Sequence, residues 1–450
     1  MLAAGDVVVL FSAIYAAAII RFRSLAEIAS SVGELWPRAV LYTMALLLSF
    51  LALGLYTARQ RARSVGLLVR IFAATILGTA LTAISFYLLP SFRIGRGVVS
   101  IAAGLSFAAT AGVRVLFSRV VNIDVLKRRV LIYGAGLRAR SIVDLRRRTD
   151  RRGYVVIGFV APRSEDLAVP LEHQLDASRG IRALCENQDI DEIVIAMDDR
   201  RRAFPIRDLL ECRMAGIDVI DLVSFLERET GKVRTDLMNP SWMIFGGGFR
   251  RDQWRQASSR ILDLIASSAL LVLASPIMLL TALAILVEDR GRGGVFYRQE
   301  RVGFAGRTFN LLKFRSMRAD AEQAGHAQWA QKNDPRVTHI GAFIRRTRID
   351  ELPQIINVLA GKMSFVGPRP ERPQFVAELS EKIPFYIQRH SVKPGITGWA
   401  QLCYPYGASE HDALQKLQYD LYYIKNNSFL FDLAILIQTA EVVVMGKGAR

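Results

Sequence analysis

The chain has 450 residues, 51% of them hydrophobic, with a formal net charge of +18 and three cysteines. That length has room for two to four domains. The basic residues do not interleave with aromatics on one module, which argues against nucleic-acid binding, and Cys185, Cys212 and Cys403 share no spacing suited to a disulfide framework or a zinc site.

The first 120 residues are mostly apolar. Met1-Leu2-Ala3-Ala4 carries no Lys or Arg, and the apolar run continues to Ile20 without a small-residue cleavage site, so no cleavable signal peptide is expected. Four segments, 2–20, 38–56, 67–89 and 98–117, each approach the roughly 20 residues that a spanning helix needs. Asp6, Arg70 and Arg114 intrude near their ends, where charges snorkel to the interface. Arg59, Arg61 and Arg63 crowd the second loop, and Arg119, Lys127, Arg128 and Arg129 follow the fourth segment. The first loop balances Arg21 and Arg23 against Glu27 and Glu34. The positive-inside rule therefore puts both ends of this 1–120 bundle in the cytoplasm, with Arg93 and Arg96 of the third loop pulling weakly the other way.

Over 121–245 the pattern changes to alternating strands and helices. Arg129-VLIYGAG reads as a strand entering a glycine turn, followed by a basic helix through about Arg148. Tyr154-VVIGFV, Ile193-VIAM and Ile217-DVIDL supply further strands, with helices near 177–188 and 205–215. Such alternation implies a parallel sheet covered by helices, a Rossmann-like α/β domain. Gly134, Gly136 and Ala139 make an imperfect G-x-G-x-x-A, and the stretch after the second strand (Ala161-Pro162-Arg163) offers no acid for a ribose, so the dinucleotide signal is weak. A scaffold or a dimerisation module is the favoured role, and the second of these would make a homodimer.

A linker with Gly246-Gly247-Gly248 and a basic cluster leads, over 246–260, into a charge-free apolar run, Leu264 to Val287. Pro276 lacks an N–H, so a helix kinks or breaks there, and Ser275 is placed to satisfy a freed backbone group. Arg250, Arg251, Arg255 and Arg260 precede the run, and Arg290, Arg292 and Arg298 follow it. A fifth span would export the whole polar half. Parity and flanking charge thus favour a re-entrant helix–break–helix over 261–287.

The polar half, 261–450, holds Arg345-RTRIDELPQIINVL, with adjacent acids Asp350 and Glu351 at an apparent helix start. Ile349, Leu352, Ile355, Ile356 and Leu359 recur at helical spacing, and Pro353 is tolerable in a first turn. Taken alone, Asp350 reads as an N-cap stabilised by the helix dipole. Its surroundings point elsewhere. Lys313 and Arg315 sit in or beside a strand-like stretch, Thr308-FNLLKF; Arg345, Arg346 and Arg348 precede the acids; and the turn Gly367-Pro368-Arg369-Pro370-Glu371-Arg372 aims two guanidiniums. Arg forks match phosphate oxygens and Lys adds a compact charge, so a diphosphate fits. Two acids among such cations suit a Mg²⁺ ion bridging phosphates, and an ionised Asp can attack phosphorus directly. The last apolar stretch, Phe429 to Met445, carries Asp432 and Glu441 and reads as an interfacial helix.

Phe296-YRQERVG, Leu312-KFRSM, Ile349-DELPQ, Met363-SFVGPRPE and Lys393-PGITGWAQ, in this order, closely resemble the bacterial sugar transferase family, the monotopic polyprenyl-phosphate sugar-1-phosphate transferases. The likeness covers about 255–450. The N-terminal bundle and α/β domain look like the large members, and Pro240-SW, Arg348-IDELPQ and Tyr404-PYGAS are similar to the subgroup of PEP-CTERM exopolysaccharide systems. The implied fold is a membrane α-helical bundle, a Rossmann-like α/β domain and a mainly α monotopic catalytic domain with a re-entrant membrane helix.

The resemblance implies transfer of a sugar 1-phosphate from a UDP-sugar to undecaprenyl phosphate through an aspartyl intermediate, releasing UMP and initiating exopolysaccharide or glycoconjugate assembly. Asp350 takes the nucleophile's place and Glu351 that of its partner in metal binding or base work; Lys313, Arg345 and Arg369 match the phosphate-binding cations, and Ser275-Pro276 the helix break. The implied location is the bacterial inner membrane, multi-pass, against membrane lipids, with the catalytic domain facing the cytoplasm. The rival readings are a membrane-tethered nucleotide-sugar oxidoreductase using the Gly134 turn and a non-enzymatic export scaffold. The multi-span transferase class needs more spans than this chain has.

Overall fold

A computed structural model describes residues 2–22, 34–56, 64–120, 127–145, 148–151, 153, 154–162, 165–199, 204–238, 247–249, 253–290, 294–318, 336–405, 407 and 409–444. The loop arginines Arg59, Arg61 and Arg63, most of the linker from Asn239, Arg250, Arg251 and Arg292 lie outside the described residues. The chain divides into two compact units, Met1–Thr230 and Gly231–Arg450.

In the first unit, α1 (Leu2–Phe22), α2 (Trp36–Ala52), α3 (Ser64–Leu88) and α4 (Arg96–Val120) form on the four apolar segments. α1, α3 and α4 contain stretches of 20, 23 and 21 residues that are long and apolar enough to cross a membrane. α2, at 17 residues, stands at the short end of that range. Asp6 and Arg114 do not snorkel outward as expected. Both are buried and pair with each other at 2.7 Å. Arg114 also donates to the Leu55 carbonyl at 2.7 Å, and the Tyr56 hydroxyl donates to Asp6 at 2.9 Å. A charge in apolar surroundings is tolerable when a partner neutralises it, and here the partner comes from another helix.

The same unit continues with β1 (Arg128–Tyr133), α5 (Leu137–Val143), β2 (Tyr154–Val160), α6 (Ile181–Asn187), β3 (Glu192–Ile195), α7 (Ile206–Met214), β4 (Asp218–Asp221) and α8 (Leu222–Thr230). The four strands make one parallel sheet in the order β2-β1-β3-β4. Leu131, Ile193 and Ile195 bury fully against Ile181, Cys185, Leu209 and Cys212 of α6 and α7, as a sheet covered by helices requires. α5 is shorter than the sequence suggested. It closes at Val143, where Leu145 N–H turns back to the Ile142 carbonyl at 3.3 Å, and Arg148–Arg151 forms a separate 3-10 turn.

The second unit begins with residues that already join its core, Val233 and Met238. Then comes α9 (Gln253–Glu288), 36 residues with Pro276 inside it. Here the helix–break–helix expectation is corrected: the helix continues through Pro276 as one element. The missing N–H frees the Val272 carbonyl, and Ser275 Oγ donates to that carbonyl at 2.9 Å. The serine therefore does what the sequence assigned it. β5 (Phe296–Val302) and β6 (Thr308–Phe314) form an antiparallel hairpin. α10 (His339–Arg346), α11 (Gln354–Leu359), β7 (Ser364–Val366), α12 (Pro373–Lys382), β8 (Gly395–Thr397), α13 (Trp399–Cys403), α14 (Glu410–Asn426) and α15 (Phe429–Val444) complete it, with β7 and β8 paired in parallel.

Both ends of α9 grip this unit. Near its start, Arg260 donates to the carbonyls of Val358 and Leu359 at 2.7 Å each, closing the C-terminus of α11. One turn on, Asp263 (3% exposed) accepts from Ser364 Oγ at 2.9 Å and from Phe365 N–H at 2.8 Å, fixing β7. At its far end, Glu288 accepts from His339 and Ile340 N–H at 2.8 and 3.2 Å, capping α10, and Asp289 pairs with Arg315 at 2.7 Å. A buried charge is retained where it has such partners.

Candidate functional site

Among the described residues two places have the makings of an anion site, one in each unit. The first is the glycine turn after β1. Gly134 has φ +128°, and a Cβ there would stand 2.6 Å from the Ala196 backbone, so only glycine lets this turn approach the end of β3. Its amides are taken by the chain's own carboxylates. Ala135 N–H donates to Glu165 at 2.9 Å, and Leu137 and Arg138 N–H donate to the two oxygens of Asp198 at 2.8 Å each. Glu165 in turn accepts from Asp198 N–H at 2.7 Å. Asp198 also sits where a Cβ on residue 136 would be, which explains the second glycine.

The second place is built by β6, the dyad turn and the proline-rich loop after β7. α10 ends at Arg346, and Arg348 adopts the left-handed conformation with φ 58°, uncommon for a residue with a side chain. This reverses the chain into a single 3-10 turn, Ile349–Glu351, that carries both acids. The acids therefore stand one turn ahead of α11 and not in its first turn as expected. Pro353 immediately precedes α11, where its missing N–H breaks no helical bond. Ile355 is buried, and Ile349 and Leu352 pack against Ile285, Phe314 and Ile344; Ile356 faces outward, contrary to the expected apolar face.

One side chain that the sequence reading did not single out fixes this turn against the hairpin. Asn357 of α11 donates to the Asn310 carbonyl at 2.8 Å and accepts from Leu312 N–H at 2.9 Å. Its amide thus pairs with the edge of β6 as another strand would, and brings Lys313 beside Glu351. Lys313 Nζ lies 3.2 Å from Glu351 Oε1, Arg369 reaches the same oxygen at 2.9 Å, and Arg348 stands 3.8 Å from Oε2. Burial pushes the Glu351 carboxyl up, but the charges of Arg369, Lys313 and Arg348 outweigh it and hold the group well below the usual carboxylate range.

Asp350 is treated differently. It is 9% exposed and makes no hydrogen bond or ion pair among the described residues. Burial raises its pKa above the ordinary 3.8, with Lys313 opposing, Glu351 adding to the rise and Arg345 and Arg369 opposing. Burial also lowers the pKa of Lys313, against the pull of Glu351. Of the residues expected at the site, Asp350, Glu351, Lys313 and Arg369 come together, and Arg345 acts on Asp350 by its charge. Arg315 does not join them; it is held by Asp289. The stretch 321–335 lies outside the described residues.

No cluster of three or more His, Cys, Asp or Glu among the described residues forms a metal cage. The residues that would hold a Mg²⁺ ion are the two adjacent carboxylates, Asp350 and Glu351, a set that matches the one or two carboxylates such an ion takes when substrate phosphates complete its shell. Among the described residues the Asp350 carboxylate makes no hydrogen bond or ion pair, and Arg348 stands 3.8 Å from Glu351 Oε2.

The sequence model of the family described as bacterial sugar transferase matches residues 254–446. An Aeromonas hydrophila protein named UDP-N-acetylgalactosamine-undecaprenyl-phosphate N-acetylgalactosaminephosphotransferase is 42% identical over 244 residues, 54% of this chain and 56% of its own length. A Xanthomonas campestris pv. campestris protein named UDP-glucose:undecaprenyl-phosphate glucose-1-phosphate transferase is 44% identical over 205 residues, 45% of this chain and 42% of its own length. The chain thus spans about half the length of these two relatives. A Bacillus subtilis (strain 168) protein, provisionally named as an undecaprenyl-phosphate N-acetylgalactosaminyl 1-phosphate transferase, is 52% identical over 133 residues, 30% of this chain and 73% of its own length.

Proposed function

Because the chain belongs to the bacterial sugar transferase family, we propose that it transfers a sugar 1-phosphate from a UDP-sugar to undecaprenyl phosphate, with Asp350 as nucleophile. The product would start exopolysaccharide or glycoconjugate assembly. One observation carries the assignment: Asp350 is buried and, among the described residues, without an ion pair, beside a second carboxylate that cations hold ionised.

In the proposed first step an Asp350 carboxylate oxygen forms a bond to the phosphorus that bears the sugar. The bond from that phosphorus to the bridging oxygen breaks, and UMP leaves with the oxygen and its electron pair. In the second step an oxygen of undecaprenyl phosphate attacks the same phosphorus, and the Asp350–phosphorus bond breaks to restore the carboxylate. Lys313, Arg345 and Arg369 supply fixed positive charge where the phosphoryl oxygens gather negative charge, the chief protein contribution in phosphoryl transfer. Mg²⁺, held by Asp350 and Glu351, would neutralise charge on the diphosphate. Replacing Asp350 by Asn removes the nucleophile and should cut UMP release by about 10⁴-fold or more, with no labelled protein–phosphate adduct. Turnover near wild type would sink the assignment.

We read α9 as a re-entrant membrane helix, with the catalytic unit on the cytoplasmic face of the inner membrane. Two observations support this. A straight helix of 36 residues would be about 54 Å long, well beyond a hydrocarbon core of about 30 Å. Yet Arg260 and Asp263 near one end, and Glu288 and Asp289 at the other, all bind the same compact unit. Single cysteines at positions 253 and 290 should then both react with a reagent confined to one side; reaction from opposite sides would overturn the re-entrant course.

The oxidoreductase reading gains no support from the first unit, whose Rossmann-like turn spends its amides on Glu165 and Asp198. The scaffold reading leaves the cations around Asp350 and Glu351 without a purpose. The likeness to PEP-CTERM systems rests on the wording at 240–242, 348–354 and 404–409 alone.

A further inference from the structure

The loop that carries Arg369 is held in an unusual way. Pro368 and Pro370 bring no N–H, so the loop cannot be pinned by ordinary ladder pairing on both sides of its backbone. It is held by its carbonyls. The Arg369 carbonyl accepts from Arg389 NH2 at 3.0 Å, the Pro370 carbonyl from Arg301 NH1 at 3.1 Å, and the Glu371 carbonyl from Val302 N–H at 2.9 Å. With the Pro368 carbonyl, which accepts from Gly395 N–H at 2.9 Å, four consecutive carbonyls are thus caught from outside the loop, two of them by guanidiniums.

Arg389 has no contact with the dyad. It is buried, and it spends its nitrogens inside the unit: on the Tyr386 hydroxyl at 2.6 Å, on Asp420 at 3.0 Å and on the Arg369 carbonyl, with the Tyr386 ring 5.0 Å from its guanidinium carbon. Taking an ion pair out of water costs free energy that its mutual attraction need not recover, so a buried pair is weak evidence for a stabilising role. What the pair does achieve is geometric. It presents one rigid donor to the backbone of the residue whose side chain reaches Glu351 at 2.9 Å. A planar guanidinium can serve Tyr386, Asp420 and the loop at once; an ammonium cannot reproduce that fork.

We propose that Arg389, fixed by Asp420 and assisted by Arg301, is a positioning residue that aims the Arg369 guanidinium into the phosphate site. This rests on the transferase reading above. The test uses the full-length chain in bilayer nanodiscs, measuring UMP release from a UDP-sugar that the wild type accepts. Arg389→Lys keeps the charge and loses the fork, and should lower kcat/KM by about tenfold or more. In an Arg369→Gln background the same change should cost no more than about twofold, because there is no guanidinium left to aim. Equal losses in both backgrounds would mean a merely structural role and overturn the proposal, as would a wild-type rate in the single variant. Should Arg389→Lys fail to fold, Arg301→Lys is put through the same two backgrounds and judged by the same outcomes. A wild type that releases no UMP from any UDP-sugar sinks the transferase reading and this one with it; an active wild type with an unaffected Arg389→Lys sinks only this one.

Discussion

The turn after β1 and the turn before α11 begin from similar chemistry and end in opposite states. At the first, three backbone amides converge as they would on a phosphate, but Glu165 and Asp198 already accept from them. At the second, Lys313, Arg348 and Arg369 surround one carboxylate, Glu351, while Asp350 beside it makes no ion pair among the described residues. A glycine motif specifies a backbone shape; whether the shape is open depends on residues far along the chain that either fill it or leave it over-supplied with charge. Substituting the carboxylate at each place separates the two. Glu351→Gln removes the carboxylate that Lys313, Arg348 and Arg369 share, and with it the proposed metal ligand, and should lower UMP release by about 10²–10³-fold. Asp198→Ala frees two amides at the start of α5, and should cost about 0.5–2 kcal/mol of local stability, seen as faster proteolysis of the first unit, with UMP release unchanged. A catalytic defect in Asp198→Ala would erase the distinction.

What the sequence disclosed follows from how local each signal is. Apolar runs, β-branched strands and the cation-rich motifs declare themselves within about ten residues, so α1 to α4, the parallel strands, Lys313 and Arg369 were readable. Ser275's bond to Val272 was readable too, because a proline frees a carbonyl at a fixed offset. The turn holding the dyad was not. Its form depends on the left-handed Arg348 and on Asn357, whose partner Leu312 is 45 residues away. Arg260 and Asp263 looked like flanking polar residues of an apolar run, yet their partners lie 98 to 102 residues on. Arg315 shares the short motif of Lys313 but sits just past the end of β6, where Asp289 claims it. Spacing in sequence placed both cations at the phosphate site; the end of a strand sent them to different partners.

The comparison sharpens further with pH, because the dyad's two acids are pushed apart. Opposed environments of this kind assign different tasks to like groups. Glu351 stays ionised: its folded pKa lies below the ordinary 4.5, so its ion pairs stabilise the fold above that value and are lost as pH falls toward the depressed one. Asp350 moves the other way, above the ordinary 3.8, chiefly by burial. An attacking carboxylate must be ionised, so activity should fall on acidification at a pH higher than a solvent-exposed Asp would give. Lys313 is the largest charge opposing that rise. Removing it with Lys313→Met should raise the Asp350 pKa further and shift the acid limb of kcat/KM upward, by about one unit, over and above the general loss of rate. Profiles of kcat/KM for the two proteins over roughly pH 4–8 decide the matter. An acid limb that stays put, or moves down, would mean that a group other than Asp350 controls it, and the dyad would then not divide its tasks as the geometry implies.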